Sequence, residues 1–198
     1  MQRDYFVLLR ARSQQHPLLA WDQGYRAFLK PRPVEVPEPV KLKLGEPVPP
    51  KPVMVDHHSL PAPVVSSRVK EALEAMPLQG VQFVPADVRV GDQVLRYWLV
   101  HMWRRFRCVD RERSVLTLDS SDGDILEIER LVLDESVLRE LPLEERLAFR
   151  LEESVVHLLH ASVVDRVMSL TPPPEGLRFI PVSDWNDSAG FLHGRQDP

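Results

Sequence analysis

The chain has 198 residues, enough to bury one sizeable core and too few for two domains of typical size. Its 43% hydrophobic and 27% charged content matches the globular average and excludes a disordered or fibrous chain. A formal net charge of -4 supplies no overall field to hold nucleic acid or an acidic membrane surface, and the single cysteine, Cys108, excludes an internal disulfide.

At the N-terminus the apolar run Tyr5 to Leu9 is shorter than a signal-peptide core, and no stretch approaches the roughly 18 apolar residues of a membrane helix. These features predict a cytoplasmic protein in a reducing compartment, with neither membrane nor nucleic acid as partner. The same run is β-branched and aromatic enough for a strand, and Leu18 to Leu29 reads as a helix broken around Gly24. From Pro31 to Pro63 closely spaced prolines remove backbone donors and disfavour both helix and central strand. The apolar residues left between them, among them Val34, Val40, Leu42 and Val55, predict an ordered extended arm laid against a core. Residues 1–63 are accordingly read as an N-terminal strand and proline-rich arm, packed on an α/β domain of residues 64–198.

Within that domain Val69, Ala72, Leu73 and Met76 recur at helical spacing, and Pro77 ends the helix. Val81 to Pro85 alternates as a strand, and Gly91-Asp92 marks a turn between strands. Val94 to Met102, Arg105 to Asp110 and Ile125 to Leu133 are three further strands, the last with Leu126 and Ile128 on a buried face. Asp119 to Asp124 is a polar loop, and Asp134 to Leu141 a short helix. Leu147 to Leu151 pairs with Val155 to Leu159, a helix follows over Ser162 to Leu170 with Ser162 and Asp165 as its capping pair, and Leu177 to Val182 is the last strand. The fold class is mixed α/β (α+β): a largely antiparallel sheet with two or three packed helices.

One unit occurs twice. Gly80-Val-Gln-Phe-Val-Pro85 and Gly176-Leu-Arg-Phe-Ile-Pro181 match at Gly, Phe and Pro, and each follows an amphipathic helix. The physical reading makes Gly80 and Gly176 left-handed turns, Phe83 and Phe179 core anchors, and Pro85 and Pro181 strand ends. These blocks, together with Val64 to Leu73, Cys108 to Ser114 and Ile128 to Asp134, resemble successive blocks of the immunity-protein family of bacterial polymorphic toxin systems, of the myxobacterial type and formerly a domain of unknown function. The resemblance runs from Val53 to Trp185 and leaves the arm before Val53 outside it. It implies an antidote that binds a cognate secreted protein toxin, and it carries no catalytic residue over.

Other constellations are incomplete. His157 and His160 are three apart, a metal pair only on a helix, and are expected to straddle a strand end; the adjacent His57-His58 pair is poor geometry for joint chelation. Asp119 to Asp124 lacks the spacing and closing Glu of a calcium loop, and Cys108 between apolar neighbours reads as a buried, inert thiol. No cofactor, metal or catalytic set is therefore expected. The candidate partner-binding residues are Trp103, Arg104, Arg105 and Arg107, where arginines interleave with aromatics, and secondarily the acidic Asp122 and Asp124. An adaptor or chaperone for a secreted effector, and a hydrolase built on Cys108, His157 or His160, are the rival readings.

Overall fold

The computed structural model describes residues 1–190, so the last residues of the segment 64–198 lie outside it. In chain order the elements are β1 (Tyr5–Arg10), β2 (Leu19–Trp21), β3 (Val40–Leu44), β4 (His57–His58), β5 (Val64–Val65), α1 (Ser67–Glu74), β6 (Val81–Val90), β7 (Gln93–Met102) and β8 (Arg105–Phe106). There follow β9 (Val115–Leu118), β10 (Ile125–Arg130), α2 (Glu135–Arg139), β11 (Ala148–Leu151), β12 (His157–His160), α3 (Ala161–Met168) and β13 (Leu177–Pro181). The fold is mixed α+β with few helices, and its strands pair mainly antiparallel in two sheets and a separate hairpin. One sheet has the order β13-β1-β12-β11-β8, the other β2-β3-β6-β7-β5-β4, and β9 pairs with β10 alone. The parallel neighbours are β3 with β6 and β11 with β8.

Several local expectations are corrected. Leu18 to Leu29 is no helix: Leu19–Trp21 is a strand, and Arg26–Leu29 a single 3-10 turn. Tertiary pairing overrides helical spacing here, because Leu19 to Trp21 lines up against Leu44 to Leu42 of β3. The proline-rich arm contains a strand paired on both sides. Between Pro39 and Pro47 the alternating Val-Lys-Leu-Lys-Leu run is free of proline, so β3 has all its donors and sits between β2 and β6. Pro85 does not end its strand; it lies inside β6, one residue before pairing with β3 begins at Ala86. The strand at Arg105 stops after Phe106, with Val109 returning only as an isolated bridge to Leu133. Leu126 faces solvent while Ile128 is buried, because the β9·β10 register shifts at Leu126, between Ile125 and Glu127, and breaks the alternation. Finally, α3 is capped by His160, whose Nδ1 accepts from the Ser162 backbone N–H at 3.2 Å, and not by a Ser162–Asp165 pair.

The repeated unit is larger than its sequence signature. In the first copy β5 and β6 flank β7, and in the second β12 and β13 flank β1, each pair joined by a helix and antiparallel to the strand between them. The cross-strand row Val65–Trp98–Pro85 has its counterpart in Leu159–Phe6–Pro181, and Val64–Leu99–Val84 in Leu158–Val7–Ile180. One residue beyond Val65 and Leu159 stand the helix N-caps Ser66 and His160. The outer neighbours also agree, since β4 sets His57 opposite Val65 as β11 sets Ala148 opposite Leu159. Gly80 (φ +79) and Gly176 (φ +85) both take the left-handed conformation that L side chains disfavour. Each carbonyl then accepts from the residue following the central strand, Trp103 after β7 and Ala11 after β1.

Among the described residues, buried apolar side chains form three clusters. The shared one holds α1, α3 and the facing residues of both sheets, including Val65, Val69, Val100, Leu159, Val163 and Val167. Beyond the first-copy sheet the arm closes a second cluster with Val34, Val40 and Leu42, and beyond the other sheet Cys108, Ile128, Leu133, Leu138 and Trp185 close a third. Strand alternation produces this layering: in β1, Tyr5 and Val7 face the third cluster while Phe6 and Leu8 face the shared one. No helix among the described residues is long and apolar enough to cross a membrane.

Candidate functional site

Trp103 to Arg107 is the strap on which the chain leaves β7 in one sheet and enters the other as β8. Trp103 and Arg104 donate their backbone N–H groups to the Gly80 carbonyl at 3.0 and 3.2 Å, while Arg150 N–H donates to the Arg104 carbonyl at 3.1 Å. A Cβ on Gly80 would stand 2.2 Å from the Arg104 Cβ, so glycine is what lets the strap lie this close to the turn after α1. Phe106 turns inward onto Phe149 at 4.9 Å between ring centroids.

The arginines of the strap have separate tasks. Arg104 is committed to the fold: it pairs with Glu145 at 3.3 Å, donates to Gln79 Oε1 at 3.4 Å and lies over the Trp103 and Phe106 rings. Arg105 donates through Nη2 to the Leu29 carbonyl at 2.8 Å, which fixes the arm against the strap without neutralising the guanidinium. Its charge is felt nearby, where burial and then Arg105 lower the pKa of Arg150. Arg107 is exposed, and Trp103 is half-buried. The bond to Leu29 brings the turn containing Arg26, Lys30 and Arg32 beside the strap, a juxtaposition not read from the sequence. Its signal was present as three cations with no acidic residue between Asp22 and Glu35.

Asp122 and Asp124 lie elsewhere, at the tip of the β9–β10 hairpin. There Asp119 N–H donates to the Asp124 carbonyl at 2.8 Å, Asp124 N–H donates to Asp122 Oδ1 at 3.0 Å, and Gly123 has φ +75. The Ser121 hydroxyl and N–H hold the Asp119 carboxyl below its ordinary pKa. These are bonds of a self-contained turn, and they leave the side chain of Asp124 exposed.

The histidines and the cysteine are drawn into packing. His57 donates Nδ1–H to the Gly176 carbonyl at 3.2 Å and His58 donates Nδ1–H to the Pro17 carbonyl at 2.9 Å; burial holds both at a pKa of about 4. His157 and His160 stand at opposite ends of β12, and burial takes His157 down to about 3. Cys108 is buried, which pushes its thiol up to about 12. Among the described residues no group of three or more His, Cys, Asp or Glu is placed to hold a metal ion.

A search of curated proteins finds no match. A family profile, by contrast, matches residues 6–184 and so takes in both copies of the repeated unit, the strap, the hairpin and the arm before Val53 that the sequence resemblance had left out. With nearly its whole described length matched, the chain belongs to the Immunity protein family (Imm11).

Proposed function

We propose that the chain is an antidote: in the cytoplasm of a toxin-producing bacterium it binds a cognate protein toxin directly and blocks its action without chemistry of its own. Membership of the immunity family over residues 6–184 carries this reading. Nucleophilic catalysis at Cys108 is disfavoured by the burial that keeps its thiol protonated to about 12, and the buried neutral His57 and His58 are engaged with backbone carbonyls. Inhibition by occlusion needs instead a rigid surface with a few anchors and complementary charge. Trp103, Arg105 and Arg107 on the strap are the favoured contact residues, with Arg104 as their internal brace and Asp122 and Asp124 as the alternative surface.

Co-expression with the toxin encoded beside this gene tests the reading. Rescue of growth together with co-purification of the two proteins is the expected result. Rescue with no complex at micromolar concentrations, or turnover of the toxin or its product by the purified chain, would overturn direct binding.

A further inference from the structure

Through Arg105, whose guanidinium donates to the Leu29 carbonyl, the strap adjoins a larger surface built by the arm. Residues 29–34 have no regular secondary structure beyond the 3-10 turn that ends at Leu29, and holding such a segment in one conformation opposes its chain entropy. Side chains from the sheet hold it by its backbone. Gln82 clamps Val34 at both ends, accepting from its N–H at 2.9 Å and donating to its carbonyl at 2.8 Å. His101 donates Nε2–H to the Arg32 carbonyl at 2.9 Å, and Arg105 reaches the Leu29 carbonyl at 2.8 Å. Beneath the turn Phe28 stacks on Trp21 at 5.1 Å and meets the edge of His101 at 5.5 Å.

What this scaffold presents is cationic. Arg26, Lys30 and Arg32 are exposed on the walls of an open groove of about 650 Å³, with Glu35 as the acidic residue of its lining. No ion-pair partner for these three cations or for Arg105 is found among the described residues, whereas Arg89, Arg96 and Arg104 are each paired with a carboxylate. An uncompensated cluster in a chain of net charge -4 concentrates local positive potential against the overall field. Tyr25 and Leu29 are 46% and 57% exposed beside it, the mixture of aromatic, aliphatic and arginine that anchors protein interfaces.

The geometry points to a preorganised cationic groove, formed by residues 26–35 and braced by Arg105, that docks a carboxylate-rich segment of the toxin surface. This assignment rests on the antidote reading and names the chemistry of the partner. Fixing the turn before binding removes an ordering cost from association, and arginine pairs bidentately with carboxylates. A nucleic acid would also satisfy the charge, but Trp21 stacks with both Phe28 and Tyr25 and leaves the Tyr25 ring exposed beside the groove, fewer faces than the row of aromatics on which a single strand stacks its bases.

The test uses the full chain and the purified toxin whose toxicity it suppresses. Arg26→Glu with Lys30→Glu and Arg32→Glu, all at exposed positions, is expected to weaken the complex by roughly a hundredfold and flatten its salt dependence. Glu35→Gln, which removes the opposing charge, is expected to tighten it by roughly twofold to fivefold, a gain that a damaged fold would not give. Unchanged affinity in both variants, with rescue intact, would overturn the groove and leave the antidote standing. No complex with the unmodified chain would remove the antidote reading and the groove's occupant with it. If a labelled single-stranded RNA binds the free chain and not the triple variant, the groove is a nucleic-acid site and the assignment to protein carboxylates is wrong.

Discussion

Phe83 and Phe179 occupy the same position in two copies of one unit, each three residues after a left-handed glycine and each opposite a residue of the central strand, Val100 for Phe83 and Leu8 for Phe179. Both rings pack into the shared cluster from the edge and remain half-buried, so they are flanks of the core more than its centre. Phe83→Ala and Phe179→Ala should therefore each destabilise the fold by about 2–3 kcal/mol, below the full cost of truncating an enclosed ring. Urea denaturation checks this. Two very unequal losses would show that the equivalence of the copies is one of backbone pairing alone.

Gly80 is required twice over, by its φ of +79 and by the 2.2 Å approach of the Arg104 Cβ to any Cβ placed there. Gly80→Ala should cost at least about 1–3 kcal/mol, since both strain and displacement of the strap contribute. Gly24, with open space around it and no left-handed backbone, is the control, and Gly24→Ala should be nearly neutral. Thermal melts that shifted equally for the two variants would contradict this account.

Stability should fall on acidification. His57 and His58 are held near pKa 4 by burial, below the ordinary 6.5, so the unfolded chain binds more protons than the folded one between those values. Their neutral forms support the fold fully above about pH 6.5, and that support is lost as pH drops toward 4, at up to roughly 1.4 kcal/mol per pH unit for each. Urea midpoints at pH 7.5, 6, 5 and 4.5 measure it. His58→Gln should flatten the slope, and a midpoint constant down to pH 4.5 would refute the buried neutral state.

Local chemistry was legible in the sequence and assembly was not. The glycine turns, the Gly91 hairpin and the pairing of β11 with β12 follow from residue types at short range, which is where propensity and turn geometry act. The completion of the second copy by β1 joins residues more than a hundred and fifty positions apart, and no periodicity encodes that. The β3 strand was hidden by the prolines on either side of it, although Val40–Leu44 alternates as a half-buried strand should. At the candidate site the sequence showed arginines among aromatics but not their division of labour. Arg104 is used by Glu145 and Gln79, and only three-dimensional pairing separates it from Arg107, which is exposed three residues later.

That division sets the way to locate the toxin contact. Arg104→Glu would place a second carboxylate beside Glu145 and weaken the fold along with any complex, so it is a poor probe. Arg105→Glu with Arg107→Glu avoids this pair, although it gives up the bond from Arg105 to the Leu29 carbonyl. The double variant should weaken toxin binding by about 2 kcal/mol or more, as loss of hot-spot arginines does. Asp122→Lys with Asp124→Lys alters an exposed hairpin tip whose side-chain role is a turn bond to the Asp124 backbone, so it should change association rate and salt dependence more than affinity. Affinities from calorimetry, with circular dichroism to confirm folding, decide between the two surfaces. A large loss from the aspartate pair and none from the arginine pair would move the interface to the hairpin, where exposed Leu126 and Val155 would supply the apolar anchors and the toxin surface facing them would be basic.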